Sequence, residues 1–441
     1  MTHSRPTKAR STLVITAACI GNFLEFYNFM AFAFFAPMIA RAFFPGENWL
    51  MQLFYALMTF AVGFVLRPVG AFVMERYSRR AGRKASLMVT FLLMAIGSLL
   101  LAATPPAASI GLLAPLLIVV ARMLQGFSDG GEVGPATALI FDAAPERMGG
   151  MLGSLQYMTQ LLGSLVAVVI GLALSELLSH DALYSWGWRV PFVLGLLIVP
   201  VGLVLRRLAF SDEGAQVLDR QVPLSASTPH EKAALRQAVF FVFIGIMCGT
   251  ISTYLRNFGV SYAVTVLGLS PSISMMGMVA GLTAGLVGIL IGIRIATRHS
   301  DARAIVVSVG LLNAVLSVPL YYYAIHVPGL GSQLALNVAM FLLSSITAVG
   351  LWQAMLDALP TGARSSLFGV IYALAVSTFG GMTQPATAWL IAKTHDPMTP
   401  AYMMAFVLPA GLLVYLRLHT LARRNVEHVT REEIARALMA E

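Results

Sequence analysis

Apolar runs close to membrane-spanning length succeed one another along almost the whole chain. A helix needs about 20 apolar residues to cross a bilayer. Inside hydrocarbon every backbone N–H and C=O must be satisfied internally, which leaves helices or closed barrels. Runs of this length read as helices. We place about twelve, with edges good to a few residues: roughly 12–38, 50–76, 85–104, 110–138, 150–177, 189–207, 236–266, 272–296, 303–325, 331–357, 365–393 and 400–421. Composition agrees, since 58% of the 441 residues are hydrophobic and only 11% are charged. A typical soluble chain is about a quarter charged. The fold class expected is an all-α membrane protein of twelve transmembrane helices in two six-helix bundles.

One run is interrupted by charge. Arg122-Met-Leu-Gln-Gly-Phe-Ser-Asp-Gly-Gly-Glu132 lies between the apolar stretches Ile110–Val120 and Val133–Phe141. Buried charge in hydrocarbon is costly and marks substrate or ion paths. Arg122, Gln125, Asp129 and Glu132 recur at steps of three and four, so they share a helix face. Gly126, Gly130 and Gly134 form a neighbouring stripe on which a second helix can pack closely.

Lysine and arginine set the orientation. With the N-terminus inside, only Arg41, Arg189 and Lys393 of the 29 basic residues fall outside, and Arg67, Arg122 and Arg256 fall within spans. The rest lie on one side, which predicts a multi-pass protein of the inner (cytoplasmic) membrane with both termini cytoplasmic. The net charge of +9 is then a membrane-edge feature, and no nucleic-acid partner is expected. The first span runs on through Phe35 without a small-residue cleavage site, so it is not expected to be a signal peptide. Cys19 and Cys248 fall in different apolar runs and are expected to be unpaired. The histidines lack metal-ligand spacing, and neither a Walker-type loop nor a Gly-x-Ser-x-Gly elbow is present. The chain is therefore expected to be no enzyme and to hold no metal or cofactor. With no ATP-binding domain expected, active transport would draw on an ion gradient.

The longest polar connection, Arg206–Arg236, divides the chain. We expect an N-terminal bundle over 1–207, a cytoplasmic linker over 208–235, a C-terminal bundle over 236–421 and a cytoplasmic tail over 422–441. Six spans per half make the halves parallel repeats.

Five stretches carry a resemblance. They are Gly21-Asn-Phe-Leu-Glu25 with Tyr27-Asn-Phe29; Arg67-Pro-Val-Gly70 with Gly82-Arg-Lys84; Arg122–Gly134; Trp186-Gly-Trp-Arg-Val-Pro-Phe192; and Phe379-Gly-Gly381 with Thr399-Pro-Ala-Tyr402. In this order they resemble the metabolite:proton symporter family of the major facilitator superfamily. Gly249-Thr-Ile-Ser-Thr-Tyr254 with Asn257 is most similar to its citrate and tricarballylate branch. The resemblance implies proton-coupled symport of a small organic acid, such as a di- or tricarboxylate, by alternating access. The expected partners are that solute, protons and the lipid bilayer, and the protein is expected to act as a monomer. The resemblance also implies a gate at Arg67, Glu75, Arg79 and Arg83. There this chain departs from the family, because Glu75 stands at a glycine position and Arg79 at an aspartate position. One helical turn apart, they can pair with each other. Asp129, Pro135 and Arg256 also differ from the family's usual residues.

The candidate proton carriers are Glu25, Asp129 and Glu132. Burial disfavours a lone carboxylate's charge, so each needs a proton or an arginine. The bland reading of each is a structural ion pair. The candidate substrate contacts are Asn22, Arg122, Gln125, Gln156, Gln160, Arg256 and Asn257. Arg122 either clamps a substrate carboxylate through its fork or permanently neutralises Glu132 or Glu25. Arg256 either binds substrate or snorkels to an interface. The amides suit an oxygen-rich solute, and equally suit interhelical hydrogen bonds. Three acids against two deep arginines leave room for a zwitterion, a betaine or amino acid, as an alternative substrate. Proton-driven efflux and a transport-dead sensor are further alternatives.

Overall fold

The computed structural model describes residues 8–46, 48–142, 149–196, 200, 229–298, 302–360 and 364–440. All are helix or short connection, with no strand among them. The first half comprises α1 (Lys8–Phe34), α2 (Ala36–Phe43), α3 (Trp49–Ala81), α4 (Arg83–Ala103), α5 (Ala107–Ile110), α6 (Leu113–Asp142), α7 (Gly149–Leu177), α8 (His180–Ser185) and α9 (190–196). The second comprises α10 (Pro229–Asn257), α11 (Gly259–Thr265), α12 (Pro271–Arg298), α13 (Arg303–His326), α14 (Leu330–Asp357), α15 (Arg364–Ala375), α16 (Gly381–Thr394) and α17 (Thr399–Ala440). Among the described residues, nine helices are long and apolar enough to cross a bilayer, or ten if α1 and α2 form one bent span. A shorter apolar helix, Met88–Ala103, marks the third expected span. The sixth, 189–207, is described only through residue 196 and at residue 200.

Three expected spans depart from one continuous α-helix. The first bends by 60° between α1 and α2. Pro37 sits in the first turn of α2, where it has no N–H for the preceding helix. The seventh, read as continuous over 236–266, breaks at Phe258 between α10 and α11. Both halves thus open with a long helix followed by a short one. The eleventh carries a π turn, Val376–Gly380, between α15 and α16, with Pro385 one turn on. Such wide turns concentrate at functional sites. Elsewhere the ends follow ordinary capping rules. Asn48 accepts from the N–H groups of Leu50 and Met51 at the start of α3, and Gly82, at φ +85°, turns the chain into α4.

Packing follows the small residues. α3 lies along α6, and α12 along α14. A Cβ at Gly126 would fall on the Gly63 carbonyl, and one at Gly130 on the Arg67 carbonyl. Gly126 and Gly130 of the expected stripe therefore form a helix–helix seam, while Gly134 lies outside the residues whose contacts are described. The halves meet where α3 packs on α16, α7 on α12 and α14, and α6 on α15. Hydrogen bonds cross between them at the face opposite the N-terminus. Ser261 donates to the Ala33 carbonyl at 3.0 Å, and Ser272 to Ser175 Oγ at 3.2 Å.

Trp188 is fully buried against Phe43 and Phe192, while Trp186 is exposed. Two helix ends differ from the expected bounds. α10 begins at Pro229, inside the stretch read as linker, and residues 201–228 lie outside those described. α17 runs on as helix to Ala440, through the expected tail.

Replacing Gly126 or Gly130 with valine should force α3 and α6 apart. The expected cost is at least 1–3 kcal/mol, roughly that of overpacking a core. Gly331→Ala, where a Cβ meets nothing within 4 Å, should leave stability unchanged. Thermal melts of the detergent-solubilised protein separate the two; equal melting of all three variants would contradict the seam.

Candidate substrate and proton site

α1, α3 and α6 bring three charges together. Arg67 Nη2 donates to Glu25 Oε1 at 2.9 Å and lies 3.6 Å from Asp129 Oδ2. All three side chains are at most 10% exposed. The Arg67 guanidinium also stands 4.4 Å from the ring centres of Phe29 and Phe64. Close approach of α3 and α6 at Gly130, and of α1 and α7 at Gly163, leaves these side chains buried among helices rather than in lipid. Arg67, read from the resemblance as a gate residue, is the hub of this cluster.

Of the acids foreseen for Arg122, Glu25 pairs with Arg67 and the side chain of Glu132 lies outside the described residues; among the described residues no carboxylate pairs with Arg122. Its guanidinium stands 4.6–5.0 Å from the ring centres of Phe29, Phe32 and Phe60. Nη1 donates to Gln125 Oε1 at 2.6 Å, and Gln125 donates on to Ser98 Oγ at 3.0 Å. Nε and Nη2 have no hydrogen-bond partner among the described residues. Aromatic faces offset part of a buried cation's desolvation; they do not neutralise it.

A cavity of about 140 Å³ lies between the halves and reaches into the second. The first half contributes Phe26 of α1 and Tyr157 and Gln160 of α7; the rest of the wall comes from α10, α13, α14, α15, the π turn and α17. Arg256 stands in this wall. It is buried and does not snorkel: Nη1 donates to Ser252 Oγ at 2.9 Å, and Nη2 to Thr253 Oγ1 at 3.2 Å and Tyr157 Oη at 3.3 Å. No described carboxylate pairs with it, and Nε has no partner. The Arg256–Tyr157 bond joins the halves across the cavity, as does Gln160 Nε2 donating to Tyr372 Oη at 3.3 Å. Tyr254 lines the cavity and packs edge-on against Phe64, one of the two rings over Arg67. The ionic cluster and the cavity thus share a wall.

The other candidate residues divide. Gln160 lines the cavity with Arg256. Asn22 does not line it; its amide donates to the Gln156 carbonyl and to Thr159 Oγ1, tying α1 to α7. Gln125 serves Arg122, and Gln156 and Asn257 are buried outside the cavity wall. Glu75 and Arg79 pair with each other at 2.9 Å, both exposed. The side chains of Glu132 and Arg83 lie outside the described residues. Tyr157 and Asn313, both in the cavity wall, escaped the sequence reading. A lone tyrosine or asparagine in an apolar run carries no signal of its direction.

The chain is 31% identical over 397 residues to the citrate-proton symporter of Klebsiella pneumoniae, covering 89% of this chain and 88% of that one. It belongs to the metabolite:proton symporter family of the major facilitator superfamily. A family model described as "Sugar (and other) transporter" matches residues 13–213. Other family relatives are the alpha-ketoglutarate permease of Escherichia coli, 31% identical over 85% of this chain and 86% of its own, and a putative proline/betaine transporter of Staphylococcus aureus, 28% identical over 93% and 88%. The crystal structure of a D-xylose-proton symporter shares the fold at a TM-score of 0.72 and 16% identity, covering 92% of this chain and 97% of that one. The chain is thus a multi-pass membrane transporter with the twelve-helix major facilitator fold, and not an enzyme. Asp129 adds a second acid to the arginine beside Glu25.

Removing one partner of a buried charge pair costs about 3–5 kcal/mol, because the other is left uncompensated. Arg67→Met should therefore lower the melting temperature sharply. Adding Glu25→Gln and Asp129→Asn to it should restore most of the loss. A triple variant no more stable than Arg67→Met would show that the cluster is not held by charge.

Proposed function

We propose that this protein is a proton-coupled symporter of a small organic acid, with a di- or tricarboxylate such as citrate as its substrate. The observation that carries the reading is Arg256, a buried guanidinium in the cavity wall with no carboxylate partner among the described residues. Charge balance extends it. Among the described side chains, Arg67, Arg122 and Arg256 are set against Glu25 and Asp129, which leaves one excess positive charge in a count that does not include Glu132. One substrate carboxylate neutralises it. A second carboxylate needs a proton, and Glu25 and Asp129, sharing one arginine, are the groups to hold it. The two halves, 1–207 and 236–421 joined by 208–235, would rock about this site. The Arg256–Tyr157 and Gln160–Tyr372 bonds are the contacts that rocking must break. We assign the protein to the inner membrane as a monomer, with both termini in the cytoplasm and Glu75, Arg79 and Arg83 at the cytoplasmic gate.

A second reading has its own support. Tyr157, Tyr254, Trp352 and Tyr372 line the same cavity, and aromatic faces suit a quaternary ammonium. A betaine would place its carboxylate on Arg256 and its cationic head among these rings. The proline/betaine relative is consistent with that.

Uptake into proteoliposomes tests both. An inward proton gradient should drive accumulation of labelled citrate or betaine, and an uncoupler should collapse it. Accumulation under a sodium gradient alone, at equal pH on both sides, would refute proton coupling. In Glu25→Gln, driven accumulation should be lost while exchange of internal for external substrate survives. Arg256→Lys keeps the charge but loses the fork, and should weaken apparent affinity roughly ten- to a hundredfold. Unaltered affinity would remove Arg256 from the site.

A further inference from the structure

Besides Arg256, the cavity is walled by residues of α10, α13, α14 and α17. Asn313 of α13 stands in this wall, wholly buried. Its Nδ2 donates to Ser344 Oγ at 2.9 Å, and its Oδ1 has no partner among the described residues. Several buried amides of the described residues leave an atom unpaired, and Asn313 is the one among them that stands in the cavity wall, where a ligand can satisfy it. The wall nearby is built from small groups, Gly249, Gly310 and Gly411. A Cβ at Gly249 would meet nothing within 4 Å, whereas one at Gly310 would run into Leu412, so the free space lies on the α10 side of the cavity.

Resting on the organic-acid reading above, we infer that Asn313 reads a hydroxyl group on the substrate. The site then takes hydroxylated small acids in preference to their deoxy analogues, with a carboxylate on Arg256 and the hydroxyl on Asn313. The chemistry is insensitive to which way the amide faces. Ser344 can donate or accept, so Asn313 presents either its oxygen or its NH₂ to the cavity. A hydroxyl both donates and accepts and satisfies either. A methylene satisfies neither and leaves the amide unpaired, which is the arrangement that gives strong discrimination.

Cys248 lines the same cavity and supplies the readout. In a Cys19→Ser background, substrate protection of Cys248 from a small maleimide reports binding without transport. The probes are three hydroxy/deoxy pairs: citrate and tricarballylate, malate and succinate, carnitine and γ-butyrobetaine. In the otherwise unaltered protein the hydroxylated member of the protecting pair should act at roughly tenfold lower concentration. In Asn313→Leu the two members should converge, with the deoxy member changed less than about threefold. That unchanged deoxy protection also shows that the variant is folded; Asn313→Val replaces it if it is not. Equal protection by both members before mutation, or an undiminished preference in the variant, overturns the role of Asn313 alone. Failure of all six compounds to protect or to be taken up overturns the organic-acid and betaine readings, and the inference with them.

Discussion

The Arg67 guanidinium, shared between Glu25 and Asp129, is the contact on which the rest of the first half depends. It brings together helices that apolar packing alone would leave interchangeable, since lipid is as apolar as a leucine face. An ion pair in hydrocarbon has one geometry that works and many that leave a charge bare. The glycines at 63, 126 and 130 let α3 and α6 approach closely enough for the Arg67 and Asp129 side chains to meet. Phe29 and Phe64 then set their rings side by side against the Arg67 guanidinium.

This arrangement leaves a remainder that transport can use. Two acids lean on one arginine, while Arg122 and Arg256 are buried without an acid of their own among the described residues. Arg122 lies behind the aromatic wall of Phe29, Phe32 and Phe60, away from the cavity. Its charge acts on the site through the field it sets up in a low-dielectric interior. Arg256 is at the cavity itself, held by hydroxyls that an incoming carboxylate can displace or join. Tyr157 and Tyr372 span the halves at the same place, so ligand binding and rocking act on the same bonds.

Much of this was legible in the sequence, and the limits have physical causes. Apolar run length located the spans, because hydrocarbon thickness sets one number for all of them. The glycine stripe at 126 and 130 was readable because only glycine permits that approach. The Glu75–Arg79 pair followed from helical spacing alone. The pairing of the deep charges was not readable. Helical periodicity puts Arg122 and Asp129 on one face, yet Asp129 pairs with Arg67 on another helix, two helical turns from Arg122. Which helices meet, and at what height, is tertiary information. Of the breaks, Pro37 marks the first in the sequence, whereas no proline marks the change at Phe258 or within Val376–Gly380.

The central claim is that an organic anion and a proton enter one shared field of buried charge. Its most direct measurement is proton exchange on binding, with purified protein in a weakly buffered solution containing a pH indicator. The ligand is added at a pH where it is fully ionised, so that it brings no protons of its own. The account predicts that protons are drawn from solution as the anion binds. It also predicts that the uptake disappears in the Glu25→Gln, Asp129→Asn double variant while binding persists. Binding without proton uptake in the unaltered protein, or equal uptake in the double variant, would contradict it.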